Sequence, residues 1–265
     1  GELFSPYEIA NDPDFEKYLN KYNVLHFDTA TFLNAAKKPE DVIPMMDRRI
    51  LGEMIEVFPY LKKLKPENTP EALNQVYKRE SIPFVVIIDE YDCIVRDAPD
   101  NEELIRQYLK YLRGFFKTEE SKHFLALGYI TGILPIKKID GESALNNFSE
   151  FTMTDPDMLT PYFGFTQMEI DSLCDKFSMK TEGMREWYDG YYMYEQTPEK
   201  TAGTGRTGED GSVRTVDGAT MVLRHMYNPN SVVEAIMRQK YISYWKNTGS
   251  FASLRNFITL NFSGL

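Results

Sequence analysis

The stretch Phe84-Val85-Val86-Ile87-Ile88 runs directly into Asp89-Glu90-Tyr91-Asp92. Five consecutive apolar residues, four of them β-branched, read as a strand buried on both faces, the kind a parallel sheet contains. The adjacent carboxylates stand where that strand would leave the sheet. Like charges in such a place must be solvated or matched by a cation. A second apolar run, His123 to Gly132, also ends in a polar residue, Thr131. Between the two runs lies Asn101 to Lys117, with Leu104, Tyr108, Leu112 and Phe115 on one helical face. Asp100 followed by Glu103 marks its start as a variant capping box. Strand, helix, strand is a parallel crossover, right-handed by the general rule. Asp89, Glu90 and Thr131 are then expected on neighbouring strands at one sheet edge, where open α/β sheets bind ligands.

The first run with its acids has the pattern of a Walker B strand. In that pattern Asp89 is the Mg²⁺ ligand, usually through water, and Glu90 polarises the attacking water. Thr131 falls where P-loop ATPases of the AAA+ type carry a sensor of the γ-phosphate. What the chain lacks is equally informative. A P-loop needs glycine-rich backbone followed by Lys and Ser or Thr, and none of the 16 glycines precedes a lysine. Gly203-Thr204-Gly205-Arg206-Thr207-Gly208 fits G-x-G-x-x-G, but it follows Glu195-Gln196-Thr197-Pro198-Glu199-Lys200, which does not read as a strand. It precedes Glu209-Asp210, acids that would repel a pyrophosphate. It reads as a polar loop.

These motifs, with others downstream, resemble those of the AAA-ATPase-like proteins common in anaerobic gut bacteria. The matching stretches are Ile87 to Asp92, Thr131 to Lys138, Ser143 to Phe148, Glu186 to Tyr191, Tyr227 to Val232 and Tyr244 to Gly249. Many such proteins carry a C-terminal nuclease-like domain of the PD-(D/E)XK class. In the family the Walker A segment lies just upstream of the residues matching Glu2-Leu3-Phe4. The resemblance therefore implies a piece that starts after the P-loop and stops before the nuclease-like region. It implies ATP and Mg²⁺ as cofactors, in an ATPase used as a switch or motor. Lacking the P-loop, this 265-residue chain is expected to be inactive by itself.

Composition suits a globular, cytoplasmic protein, and the resemblance implies ATP as its partner. Hydrophobic residues make up 42%, enough for a substantial core. The net charge of −10 argues against a general nucleic-acid surface, and no apolar run approaches the roughly 20 residues of a membrane span. Self-association is left open. Cys93 and Cys174 read as a reduced pair. The three histidines lack metal-ligand spacing; His26 and His123 read as strand residues and His225 as a surface residue.

The expected fold class is α/β: a P-loop NTPase-like parallel sheet flanked by helices, without its P-loop strand, followed by a mainly helical lid subdomain. Residues 1–154 form the first part and 155–265 the second. Asp14–Lys21, Asp41–Leu61 and Pro70–Arg79 are expected helices, and Asn23–Asp28 a strand of the main sheet. Asn147–Met153 is expected as a further short strand. In the second part Asp157–Phe163, Thr166–Phe177 and Lys180–Tyr188 read as helices, with Thr166 and Glu169 as a capping box. Gln196 to Gly218 reads as a long, glycine-rich hairpin or loop inserted in the lid, the most mobile part of the chain. Asn228-Pro229 starts a helix with Val232, Val233 and Ile236 inward, and Phe251–Ile258 is a last helix.

Function divides between a Mg²⁺-dependent ATPase and an ATPase-fold interaction module that does not hydrolyse. An intact Glu90 speaks for the first. Arg255 or Arg238 could meet a phosphate, though nothing in the sequence places either there. A third reading, a nuclease through Glu120-Ser121-Lys122, fails because the triplet falls in a turn instead of a strand.

Overall fold

The structure is a computed structural model that describes residues 2–134, 145–153, 155–197, 213–216 and 219–244. For residues 195–197, 213–216 and 219–220 it describes the backbone alone. Two compact units divide between Phe148 and Ser149.

The first unit opens with short 3₁₀ turns at Glu2–Phe4 and Glu8–Asn11, then α1 (Phe15–Tyr18), β1 (Asn23–Asp28) and α2 (Thr29–Ala35). There follow α3 (Val42–Val57), α4 (Leu61–Leu64), α5 (Thr69–Glu80), β2 (Phe84–Asp89), α6 (Cys93–Asp97), α7 (Glu102–Phe116), α8 (Ser121–Phe124) and β3 (Leu125–Ile130). The strands form one parallel sheet in the order β1-β2-β3. β1 starts and stops at the residues the sequence indicated, and β2 runs one residue further, to Asp89.

Local chemistry explains where the helices depart from expectation. Asp41–Leu61 was expected as one helix. It breaks after Val57, because Pro59 has no amide donor and holds Phe58 at φ −121°, ψ 75°, outside the helical region. The chain resumes as α4. Asn101, not Asp100, caps α7, accepting from the Leu104 amide at 3.0 Å. His123 lies in α8, not in β3.

One face of the sheet is sealed. Phe84, Val86 and Ile88 of β2 are buried in a core with Phe32 of α2, Met46 and Ile50 of α3, Leu73 and Val76 of α5, and Leu112 and Phe115 of α7. Among the described residues nothing seals the opposite face, which corrects the expectation that β2 is buried on both sides. There the register aligns Val24, Val85 and Leu127 in one row and His26, Ile87 and Tyr129 in the next. Val24 is 63% exposed, Leu127 55% and Tyr129 50%. Among the described residues β3 pairs with β2 on one side and has no strand on the other.

In the second unit a 3₁₀ turn at Asp157–Tyr162 leads to β4 (Phe165–Thr166), α9 (Gln167–Phe177) and α10 (Thr181–Tyr188). Then come β5 (Asp189–Thr197), β6 (Val213–Val216), β7 (Ala219–Tyr227) and α11 (Pro229–Arg238). Thr166 and Glu169 form the expected capping box, and Asn228 caps α11 with Pro229 in its first turn. The "mainly helical" expectation is corrected: β7 pairs antiparallel with β4, β5 and β6. Aromatic residues hide the two-residue period of β5, since Tyr192 and Tyr194 face solvent while Met193 is buried. Residues 198–212, including the G-x-G-x-x-G stretch, lie outside the described residues, as do Arg255 and the helix expected at 251–258.

Two further expectations fail. Asn147–Met153 is not a strand, because Thr152 and Asp155 close a local turn: their backbones exchange bonds, and the Asp155 amide also donates to Thr152 Oγ1 at 3.0 Å. Val233 is 44% exposed, and Ala235 takes its place beside Val232 in the core.

Candidate functional site

The parallel register sets the site. Asp28 and Asp89 are partners at the last rungs of β1 and β2, and their side chains project on the open face by strand alternation. Thr131 follows β3 directly, and its amide donates to Ile88 O at 2.9 Å, which extends the β2–β3 pairing by one rung. Thr131 Oγ1 donates to Asp89 Oδ1, and the Glu90 amide donates to the same oxygen at 2.9 Å. Asp89, Glu90 and Thr131 therefore meet at one C-terminal sheet edge.

Asp28 is already committed: its Oδ1 accepts from the Ala30 amide at 2.8 Å and its Oδ2 from Thr31 Oγ1 at 2.9 Å, which caps α2. Asp89 Oδ2 has no protein partner among the described residues, and the residue is exposed. No three His, Cys, Asp or Glu side chains converge as a cage among the described residues. One accessible carboxylate beside a satisfied one suits Mg²⁺, which keeps several waters and is held by one or two carboxylates plus substrate phosphates. The residues present fit that ion.

Glu90 has φ 49°, in the left-handed region. For a side chain of this size that conformation costs about 1–2 kcal/mol and persists only where surrounding contacts impose it. Its carboxylate lies 2.8 Å from Arg96 Nη1. Arg96, on α6, is 9% exposed. Its Nε and Nη2 donate to both oxygens of Asp97 at 3.0 and 3.2 Å, and Nη1 also stands 3.5 Å from Asp92 Oδ2. Burial opposes the charge on Arg96, but the bonds to Asp97 and Glu90 and the charge of Asp92 outweigh it, so the guanidinium is held above its ordinary value. Asp92 is fully buried. Its Oδ2 accepts from the amides of Ile133 and Leu134 at 3.1 and 2.8 Å, and its Oδ1 is buried without a partner. Tyr91 adds two bonds to the same segment, from its amide to Thr131 O at 3.0 Å and from its hydroxyl to Leu134 O. A Cβ on Gly132 would fall on Asp92 Oδ1 and within 2.8 Å of two Tyr91 ring carbons. Only glycine fits there.

Sequence reasoning missed Arg96, Asp92 and Gly132 as parts of this site. The four-residue spacing of Asp92 and Arg96, an acid and a base one helical turn apart, was the available signal. The other candidates belong to other elements. Arg238 pairs with Glu234 at 2.6 Å on α11. Lys122, of the Glu120-Ser121-Lys122 triplet, is in α8 and pairs with Glu119. His225 is not a surface residue but a member of β7, with Nδ1 3.0 Å from Asp189 Oδ2.

Cys93, beside the site, is no nucleophile. Burial raises its thiol to about 12, with nearby acids adding to the effect and Arg96 opposing it. At pH 8 the folded protein is expected to leave Cys93 unlabelled by a thiol-reactive probe, and to release it in guanidinium. Because the folded value lies above the ordinary 9.0, this thiol's contribution to stability is intact below pH 9 and lost as pH rises towards 12. Denaturant titrations at pH 7, 9 and 10.5 read that loss.

A three-strand parallel sheet flanked by helices, with acids at its C-terminal edge, makes this a mixed α/β fold consistent with a P-loop-like architecture. The family described as "Predicted AAA-ATPase" matches residues 1–140. The chain belongs to this AAA-ATPase-like family. Its similarity extends to an uncharacterised protein encoded in the vnfD 5′ region of Azotobacter chroococcum mcd 1, 22% identical over 195 residues. That alignment covers 71% of this chain and 31% of the relative's length. No solved structure matches the chain. Among the described residues no helix is long and apolar enough to cross a membrane.

Proposed function

We propose that this chain is the Walker B half of a Mg-ATP hydrolase that works as a switch or motor in the longer protein. The observation that carries the reading is the meeting of Asp89, Glu90 and Thr131 at one edge of adjacent parallel strands, with Asp89 Oδ2 unpaired among the described residues and so able to take a cation. In this reading Asp89 holds the hydrated Mg²⁺, Glu90 orients and polarises the attacking water, and Thr131 stands towards the γ-phosphate. Bound Mg²⁺ supplies neutralisation of the charge that spreads over the phosphate oxygens. The free edge of β3 and the open sheet face give an upstream P-loop strand and its helix a place to pack, because parallel sheets are stable when covered on both faces. Residues 155–265 act as a lid, the protein works in the cytoplasm, and a C-terminal nuclease-like domain of the PD-(D/E)XK class is coupled to the ATPase.

Calorimetry tests the proposal on two proteins. A protein extended upstream through a P-loop should bind Mg-ATP. The 265-residue chain should bind it very weakly or not at all, since it lacks the amides and lysine that grip the phosphates. Equal affinity in both proteins would overturn the assignment. The open apolar face favours a second reading, an ATPase-fold interaction module without hydrolysis. That reading expects the longer protein to bind ATP and show no turnover.

A further inference from the structure

The reading above gives Asp89, Glu90 and Thr131 their places and leaves Arg96 and Asp92 without one. Arg96 touches both groups. Its fork is fixed on its own helix by Asp97. That leaves Nη1 aimed between Glu90 and Asp92. Asp92 in turn grips the amides of Ile133 and Leu134, the residues that follow Thr131 and Gly132. Arg96 thus bridges the acid after β2 to the segment after β3. Glu90 needs such a restraint, because its left-handed backbone is unfavourable and its side chain is otherwise on the rim, 38% exposed.

We propose that Arg96 is the positioning residue of Glu90, holding its carboxylate at the sheet edge and tying that position, through Asp92, to the Thr131–Leu134 segment. The inference rests on the reading of Glu90 as the water-activating acid. Arg96 does not touch substrate. It limits the orientations of Glu90, so that a water bound there meets one carboxylate geometry. Misplacing a reacting group by an ångström costs up to about a hundredfold in rate.

The test uses the longer protein that contains the P-loop. Arg96→Gln should lower kcat about ten- to hundredfold with KM for Mg-ATP unchanged. In a Glu90→Gln background the same change should alter the residual rate by no more than about twofold, because nothing is left to position. Arg96→Lys keeps a charge beside buried Asp92, which protects the fold, and should restore part of the loss. Independently of activity, carbodiimide labelling read by mass spectrometry should rise several-fold at Glu90 in Arg96→Gln, while exposed Glu56 stays constant. An unchanged or increased kcat would overturn the proposal. So would an equal loss in the Glu90→Gln background, or unchanged labelling of Glu90. If the unsubstituted longer protein has no ATPase activity, the reading of Glu90 fails first and this inference falls with it. Parent activity with an indifferent Arg96 sinks this inference alone.

Discussion

Glu90→Gln, in a protein extended through the P-loop, is expected to bind Mg-ATP as tightly as the parent and to hydrolyse it about 10²–10⁴-fold more slowly, the range for loss of a positioned acid–base group. The substitution is nearly isosteric. The amide oxygen still accepts from Arg96 Nη1, which reaches the native carboxylate at 2.8 Å, and the backbone bonds around position 90 are untouched. What disappears is the negative charge that polarises water. Phosphate release under single-turnover conditions reads hydrolysis, and calorimetry reads binding. Turnover at the parent rate would remove Glu90 from the mechanism. The 265-residue chain should show no turnover above background in either form, and robust activity there would mean that the phosphates are held in some other way.

The second large effect is on stability. Asp92→Ala removes the acceptor of two amide bonds, at 3.1 and 2.8 Å, from a fully buried position. Hydrogen bonds to a charged group are worth about 1.5–3 kcal/mol each, and two part-buried donors lose their acceptor. Arg96 keeps Glu90 and Asp97 as partners, so no unpaired cation is added to the cost. A loss of about 3 kcal/mol follows, which for a protein of this size lowers Tm by roughly 6–12 °C. Asp92→Asn, which keeps an acceptor oxygen and loses the charge, should fall between. Calorimetry measures the shift, and hydrogen exchange should place it: the amides of Ile133 and Leu134 lose protection first. A variant as stable as the parent would show that the segment after Thr131 is held by other bonds.

The sheet was legible because its strands are short, largely apolar runs with acids or turns at their ends, so β1 could be read to the residue and β2 to within one. The edge formed by Asp89, Glu90 and Thr131 followed from the crossover alone. The rest depended on information that spacing does not carry. Whether β2 is covered on both faces depends on what packs there, and Val85 and Ile87 look the same in sequence either way. Arg96 became visible only once Glu90 was seen in a left-handed turn that points its carboxylate back at α6. β5 escaped because tyrosine serves equally on a buried and an exposed face, which blurs the alternation that marks a strand. His225 escaped for a related reason: its partner Asp189 is 36 residues away.

The uncovered rows of Val24, Val85 and Leu127 and of His26, Ile87 and Tyr129 also bear on colloidal behaviour. At neutral pH the net charge of −10 makes molecules repel one another before these apolar rows can meet. The sequence isoelectric point is about 5.0, so that repulsion vanishes under mildly acidic conditions. There the exposed apolar rows and a strand edge unpaired among the described residues, the usual templates for intermolecular association, are left without an electrostatic guard. Turbidity and light scattering of the isolated chain should therefore peak close to pH 5, grow with added salt at pH 7, and subside once the face is covered.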